Sequence, residues 1–324
     1  PQRPLPPQLS GPPPPQQRSF PQKISWATPS SAAAFASQLP GPPSPQQRLS
    51  SATAWAIAIV GVVVRPASMF HLPLKTTERV DLQRSLHRFV EESYSLEQAD
   101  EHRDAFAEVH TLRERCRTAT LAEKGAEDTV RLLARYYRLL TNLRTRFGSA
   151  VDDSDGRVGF TWKDAWHAKA AKEHSKGQIL STSQYDLQFE RACVLFNLAA
   201  ALGYSATVQK RSDADGPRRA CQRFQQAAGA LALLPRIELS EEGGVTDDMG
   251  GDALEVWKTI MLAQAQQCFF EKAANDKLKP GVVARLAAQV AASSSARQSM
   301  LHPRLGHAAS LLSPCSAHSP RCPP

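Results

Sequence analysis

Apolar residues recur at helical spacing along most of the chain between residues 69 and 291. After Thr77, which we expect to cap the first helix, the stripe of an amphipathic helix is formed by Leu82, Leu86, Phe89, Val90 and Tyr94. The same spacing predicts helices over about 98–117, 123–147, 183–205, 217–234, 253–275 and from Pro280 to about 291. A further helix is expected to begin at Trp162. The pattern is typical of an all-α fold.

Two of these predicted helices carry apolar residues on more than one side. The helix over 123–147 is apolar on two faces. The helix over 183–205 is rich in apolar residues on two sides, with Ser183 and Asp186 at its capping positions. A helix that is apolar on two faces packs between neighbours, so we expect both in the core. The helix over 98–117 directs a single stripe inward, formed by Phe106, Val109, Leu112 and Cys116.

Composition divides the chain into three parts. Residues 1–68 are rich in proline, lack acids and repeat QLSGPPPPQQR as QLPGPPSPQQR, so we expect a low-complexity disordered segment. The first methionine is Met69, and we interpret it as the natural start, with 1–68 as untranslated upstream sequence. Residues 69–291 form the folded domain. Residues 292–324 lack both acids and periodicity, so we expect a disordered tail.

The net charge of +8 belongs to the two ends of the chain. Eight of the 39 basic residues and none of the 31 acids lie outside residues 69–291, so the folded domain is neutral. A nucleic-acid footprint needs surplus positive charge in the folded part, so we expect no nucleic-acid partner. One short string in the proline-rich segment, Arg3 to Pro7 (RPLPP), has the form of a basic-flanked polyproline ligand for SH3 domains.

The cysteines and the apolar runs indicate a reducing compartment and no membrane span. None of the six cysteines forms a CxxC pair, and four lie singly in helical apolar contexts, where cysteine acts as a small buried hydrophobe. The longest apolar run, residues 54–64, is too short to cross a hydrocarbon layer of about 30 Å. We therefore expect a cytoplasmic protein.

Catalytic and metal-binding motifs are missing from the sequence. It contains no GxGxxG, GxxxxGK[ST], HExxH or GxSxG pattern. Asp153, Asp155 and Gly156 lack the spacing of a calcium loop, and His167 and His174 lack further ligands for a metal site. We therefore predict a protein that is not an enzyme and that needs no cofactor or metal. A chain of paired helices with no catalytic signature is more often a scaffold that binds other proteins.

Four stretches resemble one family, and they occur in the family's order. They are FHLPLKTTERVDL (70–82), FTWKDAW (160–166), QFERACVLFNLAAAL (188–202) and IMLAQAQQCFFEKAANDKLKPGVVARLAAQV (260–290). They resemble the BRO domain family, whose members are Alix-like proteins. The resemblance implies a boomerang-shaped domain with a tetratricopeptide-like helical solenoid core and a small N-terminal β element. It also implies that FHLPLK is a strand and that FTWKDAW leads from a strand into a helix.

The resemblance also implies a partner and a site. Family members bind a C-terminal amphipathic helix of ESCRT-III subunits, the charged multivesicular body proteins, and act in endosomal sorting. The positions of this chain that match the family's binding patch are Phe269, Lys272, Val282 and Leu286. The apolar members of this set are also candidates for the core, although Phe270 and Val283 could take that role instead. An exposed apolar patch on a rigid helical face suits an amphipathic partner helix.

The resemblance stops before the family domain ends. The long helices that follow in relatives are replaced here by the tail after Ala291, so the domain is expected to be incomplete at its C-terminal side. We expect an adaptor that is cytoplasmic and recruited to endosomes, with peripheral contact to the endosomal membrane. The alternative is a BRO-like helical scaffold in signalling that does not bind ESCRT-III.

Overall fold

A computed structural model describes residues 69–148, 158–166, 181–239 and 244–304. This part of the chain is mainly helical, as expected. Its α-helices are α1 (Leu82–Ser93), α2 (Leu96–Glu101), α3 (Arg103–Arg117), α4 (Ala126–Phe147), α5 (Leu187–Thr207), α6 (Gly216–Leu233), α7 (Gly251–Asn275) and α8 (Pro280–Arg304). Short 3-10 turns cover Leu234–Arg236 and Asp247–Met249. The polyproline string, the loop near Asp153 and the two histidines of the metal hypothesis lie outside the described residues.

A single antiparallel pair of strands accompanies the helices in the described ranges. Strand β1 (Phe160–Lys163) pairs with β2 (Ser181–Gln184), with Phe160 opposite Gln184. The expected small β element is therefore present. FHLPLK is not one of its strands, and nearby only Thr77 joins the sheet, through an isolated bridge to Trp162.

The segment FHLPLK uses side-chain amides in place of a strand partner. The amide of Gln264 accepts from the backbone N–H of Phe70 and donates to the carbonyl of Phe70. The amide of Asn197 does the same for Lys75, at 2.7 and 3.0 Å. Gln264 and Asn197 are both buried, so the backbone groups of Phe70 and Lys75, at the two ends of this segment, are satisfied without a β ladder.

Two expected helix caps belong to other residues. Helix α1 is capped by Asp81, whose carboxylate accepts from the backbone N–H of Arg84, because the hydroxyl of Thr77 donates to the carbonyl of Thr161 instead. Helix α5 begins after Asp186, as expected, but Ser183 lies in β2. Both corrections have one cause. Thr77 bonds to β1 and Ser183 belongs to β2, whereas periodicity predicted both residues at helix starts.

Trp162 lies inside β1 and does not begin a helix. Its indole N–H donates to the carboxylate of Glu190 at 2.6 Å. That carboxylate also accepts from Tyr136 at 2.9 Å and from Arg113 at 3.1 Å, and all of these side chains are buried. Burial, reinforced by the charge of Glu190, raises the pKa of Tyr136 well above its ordinary value, so this phenol stays protonated and remains a donor.

The core is arranged around α5. This helix is buried on almost every side and packs against α4 and α6, while α7 packs against α6 and α8. Packing between sequential neighbours confirms that the helices over 123–147 and 183–205 lie in the core. The predicted inner stripe of α3 is buried as well. Tyr94, predicted as the last residue in the stripe of α1, lies outside the core, because α1 ends at Ser93 and Tyr94 is 59% exposed.

Two further features bear on function. Helix α8 continues past Ala291 to Arg304, beyond the point where the apolar periodicity ends. None of the described helices is both long enough and apolar enough to cross a bilayer.

Candidate partner-binding surface on the last two helices

The candidate surface is formed by α7 and α8, which are joined by a tight turn. The turn closes α7 because the backbone N–H of Leu278 bonds to the carbonyl of Ala273, and Lys277 adopts the left-handed conformation with φ of 52°. Pro280 then opens α8, where its fixed φ and missing N–H suit a first turn. The two helices therefore run antiparallel and in contact.

Phe269 and Phe270 have opposite environments on α7. Phe269 is 43% exposed, whereas Phe270 is 8% exposed and belongs to the buried residues. Successive residues on an α-helix are separated by about 100°, so one phenylalanine faces the interior while the next faces outward. Of the two phenylalanines weighed from the sequence, the core position belongs to Phe270.

The pairing of α7 with α8 places Leu286 level with Phe269. The amide of Gln266 donates to the side-chain oxygen of Gln289 at 3.0 Å, which fixes the register of the two helices. Moving three residues along each antiparallel helix from this bond gives Phe269 and Leu286. Val282 lies one turn from Leu286 on the same face of α8. Both α8 residues are half-buried.

Burial does not separate Val282 from Val283. Both are half-buried, unlike the two phenylalanines. In the described residues α8 has extensive contact with α7 alone, so its other faces retain partial exposure. The four residues identified from the sequence therefore share one pair of helices, with Phe269 the most clearly outward of the apolar three.

Lys272 is already engaged in an ion pair. Its ammonium donates to both carboxylate oxygens of Asp276, at 2.6 and 2.8 Å. The two side chains are partly exposed, at 30% and 45%. The sequence carries the signal for this pair, since lysine and aspartate stand four residues apart on one helix face. Sequence reasoning had identified the lysine and missed its partner.

Two further exposed leucines belong to this region, and the sequence pattern did not predict them as surface residues. Leu262 is 47% exposed and precedes Phe269 by seven residues, which places it on the same face of α7. Leu278 is 46% exposed in the turn, between the exposed Lys277 and Lys279. The i, i+7 spacing of Leu262 and Phe269 was visible in the sequence, but α7 is so rich in apolar residues that spacing alone did not mark its outer face.

Among the described residues, the cysteines offer no activated nucleophile. The four cysteines of the described ranges are all buried and unpaired. Burial raises the pKa of Cys116 and Cys268 to about 12 and that of Cys221 to about 11, so these thiols are protonated at neutral pH. No group of three or more His, Cys, Asp or Glu side chains within the described residues is placed to hold a metal ion.

The described residues form a mainly helical domain, and exposed or half-buried apolar side chains lie on the last two of its described helices. Residues 69–306 match the BRO1-like domain family, and the chain belongs to that family. The match extends past Ala291, as α8 does. The BRO-domain resemblance of the four sequence stretches is therefore confirmed.

The curated relatives are much longer proteins. The chain is 32% identical over 224 residues to "ALG-2 interacting protein X" of Dictyostelium discoideum, an alignment that covers 69% of this chain and 26% of the relative. It is 32% identical over 221 residues to "Vacuolar protein-sorting protein BRO1" of Gibberella zeae, covering 68% of this chain and 20% of the relative. For "Programmed cell death 6-interacting protein" of Mus musculus the identity is 32% over 229 residues, covering 69% and 25%. The chain thus spans about a quarter or less of these relatives.

Solved structures of ALIX share the fold. The structure titled "ALIX BRO1 CHMP4C complex" superposes with a TM-score of 0.63 at 28% identity, covering 74% of this chain and 65% of that one. The crystal structure of ALIX in complex with the SIVmac239 PYKEVTEDL late domain gives a TM-score of 0.63 at 29% identity, covering 72% of this chain and 33% of that one. The fold is therefore that of ALIX BRO1 domains.

Proposed function

We propose that this chain is a non-enzymatic adaptor that binds the C-terminal amphipathic helix of an ESCRT-III subunit and acts in endosomal sorting. The observation that carries the proposal is the outward position of Phe269, beside a buried Phe270 and level with Leu286 across the helix pair. A large aromatic side chain 43% exposed on a rigid helix is a suitable anchor for an apolar partner stripe.

The geometry suits a helical ligand. Leu262 and Phe269 are about 10 Å apart along α7, at about 1.5 Å per residue, so together they can contact side chains two turns apart on one partner helix. Leu286 and Val282 offer further apolar area on α8. An amphipathic helix presents apolar residues at i, i+3, i+4 and i+7, a spacing that matches such a strip.

The relatives support the same proposal. One solved ALIX BRO1 structure is a complex with CHMP4C, a charged multivesicular body protein, and fungal relatives bear the name vacuolar protein-sorting protein. The absence of catalytic sequence motifs and the protonated state of the buried thiols favour binding over catalysis.

The test is binding of a fluorescent peptide of the CHMP4C C-terminal helix to the full chain. Phe269→Asp or Leu286→Asp should abolish binding, because loss of a central anchor costs about 2–4 kcal/mol, or roughly 30- to 1,000-fold. Lys272→Ala should weaken it by about 0–1 kcal/mol. Leu96→Asp is the matched control, since Leu96 is 54% exposed on α2. Circular dichroism establishes that each variant is folded.

Normal binding by folded Leu286→Asp would overturn the proposal. The signalling scaffold without ESCRT-III binding would then take its place. A Leu96→Asp variant that loses binding equally would also contradict it, because the effect would then reflect added charge.

We further propose that the α7–α8 turn contacts an anionic membrane when the adaptor is recruited from the cytoplasm to endosomes. The support is Leu278, 46% exposed between Lys277 and Lys279. Lysines near an anionic surface contribute about 1 kcal/mol each, and an exposed leucine adds a small apolar contribution. Co-sedimentation with phosphatidylserine vesicles should fall for Leu278→Asp, and equal sedimentation of both proteins would refute this contact.

A further inference from the structure

Asp276 lies at the C-terminal end of α7, next to the candidate surface. Both oxygens of its carboxylate bond to the ammonium of Lys272, one turn from Phe269. Asp276 is also the only acid that follows Glu271 in the sequence. Its nearest charged neighbours along the chain are Lys272, Lys277 and Lys279, of which Lys277 and Lys279 are exposed. One negative charge therefore stands among three lysines at the C-terminal end of α7, which we call the rim of the surface.

The position of Asp276 on its own helix is unfavourable for stability. It is the C-cap residue of α7, where the helix dipole presents its negative end. Acids are favoured at helix N-termini and cations at C-termini, so the carboxylate gains nothing from the dipole there. Its pair with Lys272 is partly exposed, and such pairs contribute little to folding. Stability of the helix therefore does not account for an acid at this position.

We infer that Asp276 is an internal competitor that occupies Lys272 until an acidic residue of the partner helix displaces it. This inference rests on the proposed function. An acidic side chain that approaches Lys272 meets an ammonium with two of its donors engaged and a like charge beside it. The pair thus lowers the affinity of the surface for every acidic helix. The helices that still bind are those whose apolar stripe contacts the apolar residues while their acid contacts Lys272. Asp276 is a positioning residue, because it acts on the partner through Lys272.

The test measures dissociation constants of the CHMP4C helix peptide with the full chain and its variants. Asp276→Asn should bind about two- to fivefold tighter, the range that an exposed ion pair of this kind supports. The gain should shrink as salt rises. The gain in affinity should vanish in a Lys272→Gln background. In a series of peptides in which one acid at a time is replaced by its amide, the gain should also vanish for the peptide that lacks the acid facing Lys272.

Glu255→Gln is the matched control. Glu255 pairs with Lys258 on the same helix, about 21 Å along the axis from Phe269 at about 1.5 Å per residue. Its removal changes the net charge by the same amount as Asp276→Asn and leaves the rim untouched. We expect unchanged affinity for Glu255→Gln, and an unchanged melting temperature for Asp276→Asn.

Several results would overturn the inference. They are equal or weaker binding by Asp276→Asn, the same gain from Glu255→Gln, or a gain that persists without Lys272. If any of these occurs while Leu286→Asp still abolishes binding, the proposed function stands and the role of Asp276 falls. Absence of binding by the unaltered chain would overturn both.

Discussion

Lys75 and Asp248 form an ion pair in which neither side chain is exposed, with the ammonium 2.7 Å from both carboxylate oxygens. The same ammonium donates to the hydroxyl of Thr246 at 2.6 Å. The carboxylate accepts in addition from the backbone N–H of Ala165 at 2.8 Å. The pair therefore joins the segment before α1, the turn after β1 and the loop before α7.

Removing one partner of this pair should be strongly destabilising. Lys75→Met leaves the Asp248 carboxylate buried without its counter-charge, and breaking such a pair costs about 3–5 kcal/mol. Urea denaturation followed by circular dichroism measures the change. Lys258→Met provides the control, because its partner Glu255 is largely exposed and the loss should be about 0–1 kcal/mol. Equal losses for the two variants would contradict the prediction.

The two neighbouring phenylalanines should separate stability from binding. Phe270→Ala removes a buried aromatic side chain and should cost about 3–5 kcal/mol of unfolding free energy. Phe269→Ala removes an exposed one and should change stability by about 0.5 kcal/mol or less. Denaturant unfolding and peptide binding are measured on the same samples. The assignment of inner and outer faces on α7 would be wrong if the two variants lost the same stability.

A glycine at position 277 should stabilise the protein. Lys277 has φ of 52°, in the left-handed region where a Cβ atom is strained and glycine is not. Lys277→Gly should therefore raise the unfolding free energy by about 1 kcal/mol. Lys279→Gly, at a position without positive φ, should give no gain, since added glycine only increases the entropy of the unfolded chain. Thermal melting of the two variants distinguishes these outcomes.

Stability should decline above pH 9 because of the buried thiols. Burial raises the pKa of Cys116 from 9.0 to about 12, so the folded state keeps a proton that the unfolded state loses. The stabilisation is therefore complete below pH 9 and is lost as pH rises toward 12. Each such thiol contributes a slope of about 1.4 kcal/mol per pH unit in this range.

The Cys116→Ala variant tests that slope. Its unfolding free energy should be lower at pH 8, because a cavity is created, but should fall less steeply between pH 9 and pH 10.5. The difference in slope should approach one proton. Parallel pH profiles for the variant and the parent chain would show that this thiol ionises equally in both states.

Periodicity predicted the helices well where one stripe is apolar, and it failed where the local context changed. The inner residues of α3, such as Phe106 and Leu112, are buried as predicted. Strand β2 gave no signal, because Ser181–Gln184 contains no apolar residue, and its buried side chains are Thr182 and Gln184. Without β2, the strand character of Trp162 could not be distinguished from a helix start.

The outer face of α7 could not be predicted from spacing. The helix packs between α6 and α8, so apolar residues surround most of it, and Phe269 and Phe270 look equivalent in the sequence. The family resemblance, and not the pattern, identified Phe269. Neither the resemblance nor the pattern identified Leu262, although it is 47% exposed on the same face. The ion pair of Lys272 with Asp276 was not predicted either, although the two residues stand four positions apart in the sequence.

The long-range bonds that hold the segment before α1 also fix the order in which the chain can finish folding. Phe70 bonds to Gln264, which is 194 residues later in the chain, and Lys75 to Asp248, which is 173 residues later. On a ribosome that adds about 5–20 residues per second, roughly 10–40 seconds pass between the synthesis of Phe70 and that of its partner. During that interval the segment around Phe70 lacks its native partners. A nascent chain can therefore complete this part of the core only after α7 has been synthesised. Until then, a chaperone that shields apolar segments would act on residues 70–74.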